Sequence, residues 1–312
     1  MTKPSVILYN PQSSASRKPV LPMALLAVGA MLEGRFEYRI VDGNLDGVEG
    51  LHRALRETEA EIVGMTVMGG PQLRYAVAAS RSVRRRHPDA TIVWGGYFPT
   101  QHSDVCLESD CVDFVVAGHG ERVFPSLLTA LSGTAGAPRL APSERRIADP
   151  EIPHPDALPG FPYGRVPVER YVRETFMGKR TLPHHSSYGC PFRCGFCAVV
   201  NMVDGRWLAQ SADRTADVVD ELVTRYGVDS VEFYDNNFFV NEKRTSAFSE
   251  RIAPHRIGWW GEARIDTLLK YDDATWRLMQ ASGLRMVFLG AESGSDETLR
   301  RMNKGGSASA DK

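Results

Sequence analysis

Between Ser5 and Leu131 the sequence switches five times between short runs rich in apolar and β-branched residues and longer stretches with helical periodicity. No other feature narrows the fold as far. The β-type runs lie at residues 6–9, 38–41, 62–67, 91–94 and 112–116. Between them Val48, Leu51 and Leu55 share one helical face, as do Leu73, Ala76, Val77 and Val83. Strands separated by helices argue for an α/β domain with a doubly wound parallel sheet. The handedness of such connections makes a flavodoxin-like strand order the expectation. We assign residues 1–132 to this domain.

Glycine loops follow three of the runs: Gly69-Gly70-Pro71, Gly95-Gly96 and Gly118-His119-Gly120. In a parallel sheet the turns after the strands open on one carboxyl edge, where glycine lets a ligand come close to the backbone. The plainer alternative is a set of tight turns. Residues 133–180 are rich in proline and lack periodicity, as a linker does.

The βα alternation resumes in residues 181–306. Val218, Val219, Leu222, Val223 and Tyr226 stripe a helix that Gly227 can end. Further strands are expected at 231–234, 257–261 and 286–289, with Asp272-Asp273 and Ser295-Asp296-Glu297 opening helices. Counting a strand that runs into Cys190, this gives four βα units. Four units form an open arc with an unpaired last strand, not a closed barrel. Residues 307–312 read as a flexible tail.

Composition excludes some partners. The 37 basic and 38 acidic side chains leave a net charge of −1, with no field to draw nucleic acid or an anionic membrane. Arg84-Arg85-Arg86 closes an amphipathic helix and reads as a solvated face. Arg17-Lys18 followed by apolar residues 20–32 imitates a secretory leader. We read it instead as a buried helix, because a strand precedes it and Pro22 sits where a helix start tolerates it. The expected location is therefore the cytoplasm, where thiols stay reduced.

That makes "SYGCPFRCGFCAVV" notable: Cys190, Cys194 and Cys197 take up three of the chain's five cysteines. Clustered thiols in a reducing compartment point to metal. Zinc would need a fourth ligand, for which His184 or His185 is available. An iron–sulfur cube also takes thiolates, and with three protein ligands it keeps one iron open. Cys106 and Cys111 are expected to be buried and structural.

The cysteine loop resembles the signature of the radical S-adenosylmethionine (SAM) enzymes. The resemblance implies that Cys190, Cys194 and Cys197 hold a [4Fe–4S] cluster whose free iron chelates SAM, and that Phe196 meets the adenine. An electron would then cleave SAM to a 5′-deoxyadenosyl radical. It also implies SAM contacts at strand ends: Asp235 and Asn236; Arg264, preferred to Glu262, in "GEARID"; and Glu292 with Ser293 in "GAESGS". The first domain resembles that of the cobalamin-binding subgroup, which includes methylases and the anaerobic magnesium-protoporphyrin monomethyl ester cyclase. On that likeness Gly69, Gly70, Gly95, Gly96, Gly118, Gly120 and Glu121 bind cobalamin. The usual cobalt-ligating histidine motif is missing, since Asn44 stands where histidine would in Asp42-Gly43-Asn44-Leu45-Asp46-Gly47.

The expectation is thus a cobalamin-dependent radical SAM enzyme methylating an unactivated carbon of a small-molecule substrate. Alternatives are a cyclase or rearrangement enzyme, or a non-catalytic cofactor-binding protein. Partners would be a flavodoxin or ferredoxin electron donor and, because the family carries further βα units, a second polypeptide completing the barrel of an apparently truncated chain.

Overall fold

The computed structural model describes residues 5–13, 18–132 and 144–305. These fall into two compact units. One runs to Pro153 and also takes Leu158–Pro167, while the other comprises His154–Ala157 and the chain from Val168 onward.

The first unit is built on a parallel sheet of β1 (Ser5–Asn10), β2 (Glu37–Asp42), β3 (Ile62–Thr66), β4 (Thr91–Gly95), β5 (Phe114–Ala117) and β6 (Arg146–Ala148), in the order β2-β1-β3-β4-β5-β6. The first five are the expected strands in the flavodoxin-like order. Consecutive apolar residues in a strand serve both faces of a sheet, and β1 shows this directly. Ile7 and Tyr9 enter the core under the helices Gly43–Thr58 and Pro71–Arg86, while Val6 and Leu8 enter the core under Met23–Leu32 and Gly120–Leu131. The leader-like stretch is indeed a buried helix, Met23–Leu32, starting just after Pro22. Among the described residues no helix is long and apolar enough to cross a membrane.

The stretch expected to be only a linker is anchored at several points. β6 extends the sheet, pairing Val116 with Ile147. It is secured by Arg145, whose guanidinium donates to the carbonyls of Asp113, Leu107 and Val112 at 2.8, 3.1 and 2.5 Å. Arg165 forms a two-point ion pair with Glu33 at 2.8 Å and lies over the Tyr38 ring. A three-residue strand held by side chains from elsewhere leaves no periodic trace. Residues 133–143 of this stretch, and the expected tail at 307–312, lie outside the described residues.

The second unit begins with β7 (Thr181–His184), β8 (Ser187–Gly189) and β9 (Trp207–Ala209), followed by β10 (Ser230–Phe233), β11 (Gly258–Ala263) and β12 (Leu284–Leu289). Four of them form a parallel sheet ordered β12-β11-β10-β7, matching the four expected βα units. The strand entering Cys190 is a separate element, however: β8 pairs antiparallel with β9, and the first barrel strand is β7. Asp272 and Ser295 cap their helices by accepting from Thr275 N and Thr298 N, and Gly227 ends its helix in the left-handed region. Gly283 has φ +98 and passes so close to Ile257 that a Cβ there would lie 1.9 Å from the Ile257 carbonyl oxygen. Phe233, Phe238, Phe248 and Trp259, all fully buried, pack together at ring separations of 4.7–6.1 Å. β12 forms one edge, with Met286, Phe288 and Leu289 exposed.

Candidate functional site

The three cysteines lie in the connection between β8 and β9, so the antiparallel pair pins both ends of their loop. Inside it, Cys197 N donates to the Cys194 carbonyl at 3.1 Å and Val200 N to that of Cys197 at 3.3 Å. A turn after the last helix, Asp296–Arg301, fastens the loop from outside: Gly195 N donates to the Met302 carbonyl (2.8 Å) and Asn303 Nδ2 to that of Arg193 (2.7 Å). Cys194 is buried, and Cys190 and Cys197 are half-buried. Arg264 Nη1 points at Cys194 Sγ from 3.3 Å, and Asn237 Nδ2 at Cys190 Sγ from 3.7 Å. Burial pushes the Cys190 thiol up, with N–H donors from Phe192 and Asn237 pulling the other way.

Among the described residues no three His, Cys, Asp or Glu side chains gather as a single-ion site. His184, the candidate fourth zinc ligand, is buried and bonded through Nε2 to Gln210 at 3.0 Å, and burial lowers its pKa to about 4. His185 packs edge-on against Tyr188. A [4Fe–4S] cube offers a separate iron to each thiolate and does not need them to meet at one point. Three thiols on one bend, two of them faced by buried N–H donors, fit such a cluster better than one zinc ion.

Of the SAM contacts expected from sequence, some gather here and others do not. Glu292, in the left-handed region at φ +61, pairs with Lys304 Nζ at 3.0 Å, and that ammonium lies 6.0 Å from the centre of the exposed Phe196 ring. Ser293 Oγ accepts from Ser295 N, so it braces the local turn. Asn236 points outward and is exposed. Asp235 is fully buried and accepts from Ser186 N (3.1 Å), Ser186 Oγ (2.8 Å) and Ser187 Oγ, which leaves its carboxylate inside the unit. Arg264 is committed to the cysteine loop rather than standing free. Glu262 is half-buried, and burial together with the Asp235 charge raises its pKa.

Sequence reasoning missed Asn237, Lys304, Asp266 and Arg244. The Asn236-Asn237 pair carries a signal, but successive residues at a strand end face opposite ways, and the expectation fell on the outward one. Arg244 is buried and donates to Ser186 Oγ at 2.6 Å, which relays its charge toward Asp235. Nothing local marks Lys304.

On the first unit's carboxyl edge, a Cβ built on Gly69, Gly70 or Gly118 would meet nothing within 4 Å, and the neighbouring Met68 is 53% exposed. These glycines leave room for a broad, partly apolar ligand. The other expected positions are packed more closely. A Cβ on Gly96 would lie 3.1 Å from Thr66 Oγ1 and from Val67 N, and on Gly120 3.3 Å from Val28. Gly95 is in ordinary contact with Val116, and Glu121 is buried beside His119 at 3.9 Å. Asn44 is engaged by Asp42 Oδ1 and by Ser13, so the histidine-less motif serves as a helix cap. Cys106 and Cys111 are buried as expected, and burial raises the Cys106 pKa to about 11.

Comparison with known proteins matches residues 15–128 to the B12 binding domain and residues 185–310 to the Radical SAM superfamily. The chain carries a B12-binding domain followed by a radical SAM domain. An uncharacterized methyltransferase of Pyrococcus horikoshii is 26% identical over 96% of this chain and 68% of its own length. The anaerobic magnesium-protoporphyrin IX monomethyl ester cyclase of Synechocystis sp. is 25% identical over 98% of this chain and 64% of its own. The structure of the radical SAM methyltransferase TsrM from Kitasatospora setae, with cobalamin and a [4Fe-4S] cluster bound, superposes with a TM-score of 0.76 at 21% identity, covering 98% of this chain and 62% of that one. The chain thus spans about two thirds of the length of these three proteins, and the likeness to TsrM shows the shared fold.

Proposed function

We propose that this chain works as a cobalamin-dependent radical SAM methylase acting on an unactivated carbon of a small molecule. The observation that carries the reading is the cysteine loop, with donors from Arg264 and Asn237 facing two of its sulfurs. Cys190, Cys194 and Cys197 would hold the [4Fe–4S] cluster, and Phe196, Glu292 and Lys304 border the place where SAM would lie against it. Gly69, Gly70 and Gly118 would admit cobalamin to the first unit. When bound, these groups supply a hydrogen-abstracting deoxyadenosyl radical and a transferable methyl group.

The chain's own residues supply geometry. The turn at residues 302–304 keeps the loop from opening, and the Lys304–Glu292 pair holds a carboxylate beside Phe196. Asp235, through Ser186 and Ser187, ties β10 to the segment leading into β8 and so sets the direction in which the loop starts.

A one-electron donor of the flavodoxin or ferredoxin type, and the cytoplasm as the place of action, belong to the same reading. The exposed edge of β12 fits a further strand, including one from a second polypeptide. Anaerobically reconstituted protein is expected to show iron–sulfur and cobalamin absorption and to release 5′-deoxyadenosine from SAM. Material grown with abundant cobalamin that holds the cluster yet takes up no cobalamin would sink the methylase reading.

A further inference from the structure

We infer that Arg264 is a positioning residue for the cluster itself: its guanidinium, directed at Cys194 Sγ, makes the cluster easier to reduce. The inference rests on the reading of the three cysteines as cluster ligands, and it departs from the SAM contact that the sequence suggested for this arginine.

Four constraints keep the guanidinium in place. Asp266 takes two of its N–H groups, Nε at 2.9 Å and Nη2 at 2.8 Å. Nη2 also donates to the Lys304 carbonyl, and the Phe192 ring lies under the group at 3.9 Å. The remaining nitrogen, Nη1, meets Cys194 Sγ at 3.3 Å, within reach of an N–H···S hydrogen bond. The residue is only 5% exposed, so water does not compete for that nitrogen. A lysine could not satisfy this arrangement, because one ammonium cannot bind a carboxylate in a fork, lie flat on a ring and aim a further donor at sulfur.

Asp266 neutralises the positive charge, so what reaches the sulfur is an oriented N–H dipole. Hydrogen bonds to ligand sulfur are among the levers that set cluster potentials. In the reduced cluster the added electron is shared with its sulfurs, and a fixed donor stabilises that electron-rich form more than the oxidised one. One electron leaves a reduced flavodoxin- or ferredoxin-type donor and enters the cluster. No bond at Arg264 is made or broken, and its protons stay where they are. Asn237 Nδ2 does the same for Cys190 more weakly, from 3.7 Å.

The test is an EPR-monitored reductive titration of the anaerobically reconstituted full chain with dithionite. Arg264→Gln is expected to lower the equilibrium constant for reduction about tenfold, ~59 mV for a one-electron couple, and Arg264→Lys to lower it by less. A midpoint in Arg264→Gln equivalent to less than a twofold change, in a protein whose wild type holds the cluster and cleaves SAM, overturns the inference and leaves the proposed function standing. If Arg264→Gln loads no iron, Arg264→Lys decides: a lowered midpoint supports the inference and an unchanged one overturns it. Failure of both variants to load iron also overturns it, because Arg264 would then serve the folding of the loop alone. A wild type that holds no cluster removes the proposed function first, and this inference with it.

Discussion

Replacing Asp235 by asparagine separates a carboxylate that supports the fold from one that binds a ligand. The substituted amide would keep one acceptor oxygen but present an NH2 group where the second oxygen accepted, so that it either opposes the Ser186 N–H or makes the Ser186 and Ser187 hydroxyls turn round to accept. Hydrogen bonds to a charged acceptor contribute roughly 1.5–3 kcal/mol each, and the neutral amide weakens or loses them. The substitution also leaves Arg244, which is buried and reaches Asp235 through Ser186, without the stronger of its carboxylate counter-charges. Stranding a buried charge costs about 3–5 kcal/mol. The two effects share the Ser186 hydroxyl and do not add fully, so about 3–4 kcal/mol is the expected loss. At roughly 2–4 °C per kcal/mol, the melting temperature should fall by roughly 6–16 °C. Tryptophan fluorescence is the appropriate probe, since Trp207, Trp259, Trp260 and Trp276 all belong to the second unit, leaving Trp94 alone in the first. The assay needs only cofactor-free protein. An apo Asp235→Asn variant that melts within about 2 °C of wild type, yet binds SAM poorly once reconstituted, would refute the internal role and restore the ligand contact.

Two further outcomes follow from the same geometry. His184 titrates near 6.5 when unfolded but is held down at about 4 by burial, so above pH 6.5 both states are neutral and nothing is lost. Below it the unfolded chain takes a proton that the folded chain refuses, and stability falls by up to about 2 kcal/mol between pH 6.5 and 5; His184→Gln should flatten that part of a urea-midpoint profile, and an equal decline in both proteins contradicts the assignment. On the first unit's carboxyl edge, Gly69→Trp projects into open space. It should abolish cobalamin uptake, read as corrin absorbance after desalting, while shifting the melting temperature by no more than a few degrees; undiminished uptake rules out Gly69 as part of the cradle.

Much of the molecule was legible along the chain. Runs of apolar residues separated by helical stripes specify a doubly wound sheet, because both signals act over a few neighbouring residues. The caps at Asp272 and Ser295 and the helix stop at Gly227 are local for the same reason. The cysteine loop stood out because the spacing of its thiols is itself the chemistry. What the tertiary structure decided lies in contacts between distant positions. Arg264 meets Cys194 across 70 residues, Asn303 meets Arg193 across 110, and Asn237 meets Cys190 across 47. β6 exists because β5 offers it an edge and Arg145 ties it down, and Asp235 turned inward because Ser186, Ser187 and Arg244 surround it. Periodicity reports which face of an element is buried, but the partner a polar side chain finds depends on how elements far apart in sequence are brought together, and no short window of residues contains that information.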